Sequence, residues 1–118
     1  DSYGVEYENG INIKKLDKND MFNPFHDMLK AGYGTLAYRD SWNLFDNIVV
    51  SENLATASTG TLKIQKAEGS KFYGNIFISP YMIQKEGQYK NYPLRSFVGS
   101  NFQNGYSDHF PVYIYIAK

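Results

Sequence analysis

Cysteine is absent from the chain, which excludes disulfides, thiol nucleophiles and cysteine-ligated zinc together. A charge of one sign is lacking as well: 12 Lys and Arg balance 12 Asp and Glu, for a formal net charge of zero. A protein that grips nucleic acid through many phosphate contacts usually carries a basic excess, so the composition lends no support to such a grip. No apolar run approaches the roughly 18 residues of a membrane-spanning helix. The opening Asp1-Ser2-Tyr3-Gly4 has neither the basic head nor the apolar middle of a signal peptide, and an initiator methionine is missing. The expectation is a segment from inside a longer chain, with its compartment left open. Tryptophan occurs once, at Trp42, where a core position is expected.

What is present is apolar and aromatic. Hydrophobic residues make up 42% and aromatic residues 17% of the 118 positions, which argues for a packed body rather than a disordered tail. That length allows one domain at most, burying about two-thirds of its unfolded surface if it folds alone. Residues 1–19 read as polar and irregular, with turns at Gly4, Asn9-Gly10, Lys14-Lys15 and Lys18-Asn19-Asp20. A helix signal follows. Asn23 suits an N-cap, Pro24 the first helical position, Phe25, Met28 and Leu29 one apolar face, and Gly32 the end. Asp27 lies near the helix start, where the macrodipole favours a carboxylate. His26 reads as a solvent-facing helix residue.

Beyond Gly34 the pattern becomes extended. Residues 35–38 and 42–51 are rich in aromatic and β-branched types, with Arg39-Asp40-Ser41 as the hairpin turn between them. Leu44, Asp46, Ile48 and Val50 share one side of the second strand, because side chains alternate with a period of two. A carboxylate therefore stands in an apolar row, to be paired there or placed at a strand end that reaches water. Residues 52–60 read as a short helical turn and loop, 62–64 and 72–83 as short extended pieces, and 86–107 as one long surface excursion.

The last segment, Phe110-Pro111-Val112-Tyr113-Ile114-Tyr115-Ile116, is apolar on both faces and predicts a central strand covered on both sides. Ser107-Asp108-His109 stands at its mouth. Taken on their own, these residues carry two readings: a turn cap with a satisfied core histidine, or a reactive site.

Ser107-Asp108-His109-Phe110-Pro111-Val112 resembles the Ser-Asp-His-x-Pro-aliphatic signature that ends the catalytic domain of the endonuclease/exonuclease/phosphatase superfamily. Trp42 to Ser51 resembles that family's other late motif, an Asp opening a strand that runs into a Ser. Pro93-Leu94-Arg95-Ser96-Phe97-Val98-Gly99 and Gly105-Tyr106 are similar to a bacterial branch. Two motifs in the right order, each leading into an apolar strand, make the resemblance specific over residues 20–118.

The resemblance implies an α/β fold, the C-terminal portion of a four-layer α/β sandwich in which two sheets pack face to face between helices. Residues 1–118 would then be a partial domain whose N-terminal half is absent. It also implies phosphoester hydrolysis on a nucleic acid, lipid or small molecule, with Mg2+ or Mn2+ as cofactor. A hydrolase holding one phosphate through a metal needs no basic excess. His109 would act at the phosphate, Asp46 would orient its ring, and Asp108 would orient the water or join the metal shell. Arg95 and Tyr106 are the candidate substrate contacts, a guanidinium matching phosphate geometry.

The pattern is incomplete. The family's Asn and Glu metal ligands belong to its N-terminal half, and Asp17-Lys18-Asn19 has the letters of an Asp-x-Asn motif without its preceding apolar strand and Gly. The stretch between the two late motifs is also longer than in compact members. The chain alone is therefore expected to be inactive, and its exposed strand faces to be covered by the missing half or by self-association. The competing class is a non-enzymatic binding or interaction module built on aromatic loops. Only the hydrolase requires Asp46 within hydrogen-bond reach of His109.

Overall fold

The computed structural model describes residues 6–7, 10–11 and 16–118. The turns expected at Gly4, at Asn9 and at Lys14-Lys15 lie outside the described residues. Strands β1 (Glu6–Tyr7) and β2 (Gly10–Ile11) pair antiparallel. The turn expected at Lys18-Asn19-Asp20 is closed reciprocally: the Asp20 amide donates to the Asp17 carbonyl, and the Asp17 amide to the Asp20 carboxylate, both at 2.8 Å.

Strand β3 (Met21–Phe22) leads into helix α1 (His26–Lys30). The helix is shorter than the sequence suggests. The Asn23 side chain accepts the Phe25 amide at 2.9 Å, and this local bond shapes an entry turn over residues 23–25 ahead of the first regular turn. Its C-terminal end is as expected: Gly32 has φ +90, the Gly32 amide donates to the Leu29 carbonyl and the Tyr33 amide to the Met28 carbonyl, each at 3.0 Å. That pair of bonds satisfies the last carbonyls in the manner of a Schellman motif. Phe25 and Met28 are buried, while Leu29 is exposed and stands apart from the apolar face it was expected to join.

Strands β4 (Leu36–Tyr38) and β5 (Ser41–Asn43) form the expected hairpin, with Tyr38 opposite Ser41. Its loop is the two residues Arg39 and Asp40, both at positive φ (49 and 62), the geometry that follows the twist of the strands. The second strand was expected to continue to Ser51 but stops at Asn43, and β6 (Val50–Ser51) pairs instead with β3. The Asn47 amide donates to the Leu44 and Phe45 carbonyls, consuming groups that a strand partner would need. The alternation nonetheless survives: Leu44 and Val50 are buried, Asp46 and Ile48 half-buried, and Phe45, Asn47 and Val49 exposed.

Helix α2 (Glu52–Thr56) sits where the short helical turn was expected. Strands β7 (Lys63–Gln65), β8 (Gly74–Ile76) and β11 (Val112–Ala117) form a three-stranded antiparallel sheet in the order β7-β11-β8. A 3-10 turn at Pro80–Met82 and a small hairpin, β9 (Phe97–Val98) with β10 (Asn101–Phe102), interrupt the long excursion. Two buried clusters underlie the sheet. One gathers Leu16, Phe22, Val50, Ala55 and Ile64, the other Phe25, Met28 and Leu44, and Ile48 and Ile114 pack against both.

The final strand is central, as its composition implies, but only one of its faces is covered by the described residues. Val112 and Ile114 turn toward the core, while Tyr113, Tyr115 and Ile116 are exposed. The α/β class expected from the sequence is the class observed: small helices packed on several antiparallel strand groups. Among the described residues no helix is long and apolar enough to cross a membrane.

Phe25 is fully buried, and Gly74 opposite it leaves no room for a side chain, since a Cβ there would sit 2.7 Å from the Phe25 ring. Phe25→Ala should therefore leave a cavity and destabilise the chain by roughly 3–5 kcal/mol. Urea denaturation checks this, and a loss under about 1 kcal/mol would mean that the ring is not the centre of its cluster.

Candidate active site

The site is assembled from three segments, two of them 11 residues apart and the third far along the chain. Asp46 lies in the irregular stretch after β5, His109 lies one residue ahead of the buried Phe110, and Thr35 lies at the head of β4. His109 Nδ1 is 2.7 Å from Asp46 Oδ2, and the two residues are 63 positions apart. The same oxygen accepts the Thr35 hydroxyl at 2.6 Å. A carboxylate accepts and does not donate, so Nδ1 is the donor of this pair and Nε2 is the ring nitrogen that Asp46 does not engage.

Thr35 is what places these groups. Its amide donates to the Asn43 carbonyl at 2.9 Å, and its carbonyl accepts the Phe110 amide at 2.8 Å. It is fully buried, so no water can stand in for its hydroxyl bond. Phe110, 1% exposed, stacks on Trp42 with ring centres 6.1 Å apart. The residue that follows His109 is thus held by a backbone bond and a ring face. Asn47 steadies the other side: its amide brackets the Leu44 and Phe45 carbonyls, and its oxygen accepts the Asn23 side-chain amide at 3.0 Å.

The Asp46 and His109 side chains are 35% and 34% exposed. At that exposure solvent screens their attraction, so orientation of the imidazole is the main effect of the pair rather than stability.

Asp108 is exposed and lines a depression of about 320 Å³ together with Arg95, Ser96, Phe97, Tyr106 and Ser107. The Ser107 hydroxyl accepts the His109 amide at 3.1 Å, a local bond that directs the chain into the final strand. Tyr106 is 76% exposed, and its carbonyl accepts the Ser96 hydroxyl at 3.2 Å. Gly105 permits this closure, because a Cβ at that position would overlap the carbonyl oxygens of Leu94 and Arg95. The five residues singled out from sequence thus fall into two adjoining groups: His109 with Asp46, and Asp108 with Arg95 and Tyr106.

Thr35 and Asn47 escaped the sequence reading. A threonine in a strand is ordinary, and an Asn next to an Asp reads as a turn. Their one available signal was that a buried hydroxyl needs an acceptor, and Asp46 was the acceptor within the apolar row. His26 is half-buried rather than solvent-facing. Asp17-Lys18-Asn19 occupies the surface turn described above, not the end of a strand. Among the described residues no group of three or more His, Asp or Glu side chains is arranged to hold a metal ion.

The family model described as the Endonuclease/Exonuclease/phosphatase family matches residues 6–118. Comparisons with curated proteins and with solved structures each gave no match.

Replacing Thr35 by Val keeps the shape and removes the hydroxyl that shares Asp46. The expected loss is about 1–2 kcal/mol, at the lower end for a hydrogen bond to a charged group because Asp46 is partly solvated. Thr35→Ser keeps the hydroxyl but loses a buried methyl, so it should recover part of the loss. A Val variant as stable as the parent in thermal melts would show that the bond does not hold Asp46.

Proposed function

Because this chain belongs to the endonuclease/exonuclease/phosphatase family, we propose that it supplies the C-terminal part of the catalytic domain of a divalent-metal-dependent phosphoester hydrolase. The observation that carries this reading is the 2.7 Å contact between His109 Nδ1 and Asp46 Oδ2. A non-enzymatic binding module gives no reason to join a carboxylate and an imidazole so far apart in sequence and to leave the other ring nitrogen free.

A phosphodiester repels an incoming oxygen nucleophile, so a catalyst must offset its charge, position a water and assist the leaving oxygen. In this reading Nε2 of His109 meets the phosphate region, either taking the proton of the attacking water or, when protonated, holding a phosphate oxygen. Asp46 acts through His109 by keeping Nδ1 protonated and the ring in one orientation, and Thr35 acts through Asp46. Asp108 orients the water or reaches the metal shell from the neighbouring depression, where Arg95 offers a planar fork for phosphate oxygens and Tyr106 an exposed ring.

The carboxylates of the described residues do not make a complete divalent-metal site, so Mg2+ or Mn2+ would need further ligands from outside them. This is the reason to propose that the isolated chain is inactive and that residues 1–118 are part of a larger domain. The exposed Tyr113 and Tyr115 face of β11 supports the same reading, since the N-terminal half, or a second copy of the isolated chain, would cover it. The likeness of Pro93–Gly99 and Gly105-Tyr106 to a bacterial branch supports placing the parent protein there.

The complete domain, assayed with magnesium on nucleic-acid, lipid and small phosphodiester substrates, should lose about 100-fold or more in kcat with His109→Ala. Asp46→Asn should lower kcat with little change in KM, because the residue orients and does not bind. A rate that rises with pH marks a general base, and a falling rate marks a protonated clamp. Parental rates from His109→Ala on every substrate would remove the hydrolase reading.

A further inference from the structure

Next to the Asp108 depression is a second hollow, of about 510 Å³, between the tip of the β4–β5 hairpin and the segment 84–98. Its volume lies in the range of small-molecule sites, about 300–1,000 Å³. Arg95 lines both hollows, so they meet at one arginine.

Three tyrosines line the second hollow, and ring contacts hold two of them, Tyr89 and Tyr92, in place. Tyr38 and Tyr89 are 58% and 47% exposed. Tyr89 packs on Tyr92 with ring centres 5.4 Å apart, and Tyr92 on Trp42 at 5.6 Å, which connects this wall to the buried Phe110. The Tyr92 hydroxyl donates to Asp40 at 2.7 Å, tying the segment to the hairpin tip; that bond raises the phenol above its ordinary pKa. The amides of Gln84 and Gln88 add paired donors and acceptors.

These walls select a ligand chemistry. Aromatic faces suit a planar ring, and a side-chain amide can match the donor-acceptor edge of a heterocycle. A guanidinium at the junction suits a phosphate. Asp40 is the one carboxylate of the hollow and already accepts the Tyr92 hydroxyl, so the lining offers more ring faces than carboxylates and suits a planar ring better than a polyhydroxylated one such as inositol. Resting on the hydrolase reading above, we propose that this hollow is a subsite for the planar heterocycle of a nucleoside-type ester group, with Arg95 holding the phosphate between it and Asp108.

The test is an NMR titration of this chain with adenosine 5′-monophosphate, ribose 5-phosphate and inositol 1-phosphate. The nucleotide should shift the Gln88, Tyr89 and Arg95 resonances saturably and bind about tenfold or more tighter than ribose 5-phosphate, the advantage expected of one stacked base. Tyr89→Ala should abolish that advantage and Tyr89→Phe keep it, with unchanged circular dichroism showing that both variants fold. Arg95→Ala should weaken both ribose phosphates alike. The subsite is overturned if ribose 5-phosphate binds as well as the nucleotide, if inositol 1-phosphate binds more tightly, or if no ligand saturates. Binding needs no turnover, so a failed titration removes the heterocycle and leaves the hydrolase reading standing, whereas a failed His109→Ala experiment removes the hydrolase and leaves the binding result.

Discussion

One carboxylate oxygen, Oδ2 of Asp46, receives two donors that arrive from opposite ends of the chain. The Thr35 hydroxyl comes from the head of the hairpin, and the His109 ring from the mouth of the last strand. Neither donor alone defines a direction for the carboxylate. Two on one oxygen do, because each occupies one lone-pair direction and leaves the side chain little rotational choice. Thr35 also accepts the amide of the residue that follows His109. The hairpin, the carboxylate and the imidazole are therefore set by one residue, and a shift in any of them disturbs the other two.

The aromatic residues supply the rigidity that these few polar bonds lack. Trp42 stacks on Phe110 and meets Tyr92 in an edge contact. The first contact fixes the residue after His109, and the second fixes the wall of the hollow that shares Arg95 with the Asp108 depression. A single indole thus touches both the residue that follows His109 and the wall of the second hollow. Ring pairs of this kind add order beyond the area they bury, because only a few mutual orientations are favourable.

Much of this was legible in the residues themselves. The period-two row at 44–50 gave the inward side chains even though residues 44–49 form no paired strand and only Val50 enters one, because burial follows side-chain direction and strand assignment follows hydrogen bonds. The end of α1 was legible from Gly32, and the two late motifs carried the family. Three things were not legible. The entry to α1 depends on whether Asn23 bonds locally or serves a regular turn, and both use the same residue type. The cover over β11 depends on what packs against it, which its own apolar residues cannot specify. Arg95 reaches two hollows only because segment 84–98 folds back onto the hairpin, a tertiary event with no local signature.

The hairpin tip shows what this arrangement costs the fold. Arg39 and Asp40 both occupy the left-handed region, which Asp tolerates and a long side chain such as Arg does not favour. An Asn-Gly pair would relax the turn and make the isolated hairpin a better autonomous unit. It would also delete a guanidinium and the carboxylate that anchors Tyr92, so the more comfortable turn would leave the hollow without its clasp. Backbone tension kept at the rim of a cavity in this way means that a replacement chosen for a relaxed turn would also strip two side chains from the cavity wall.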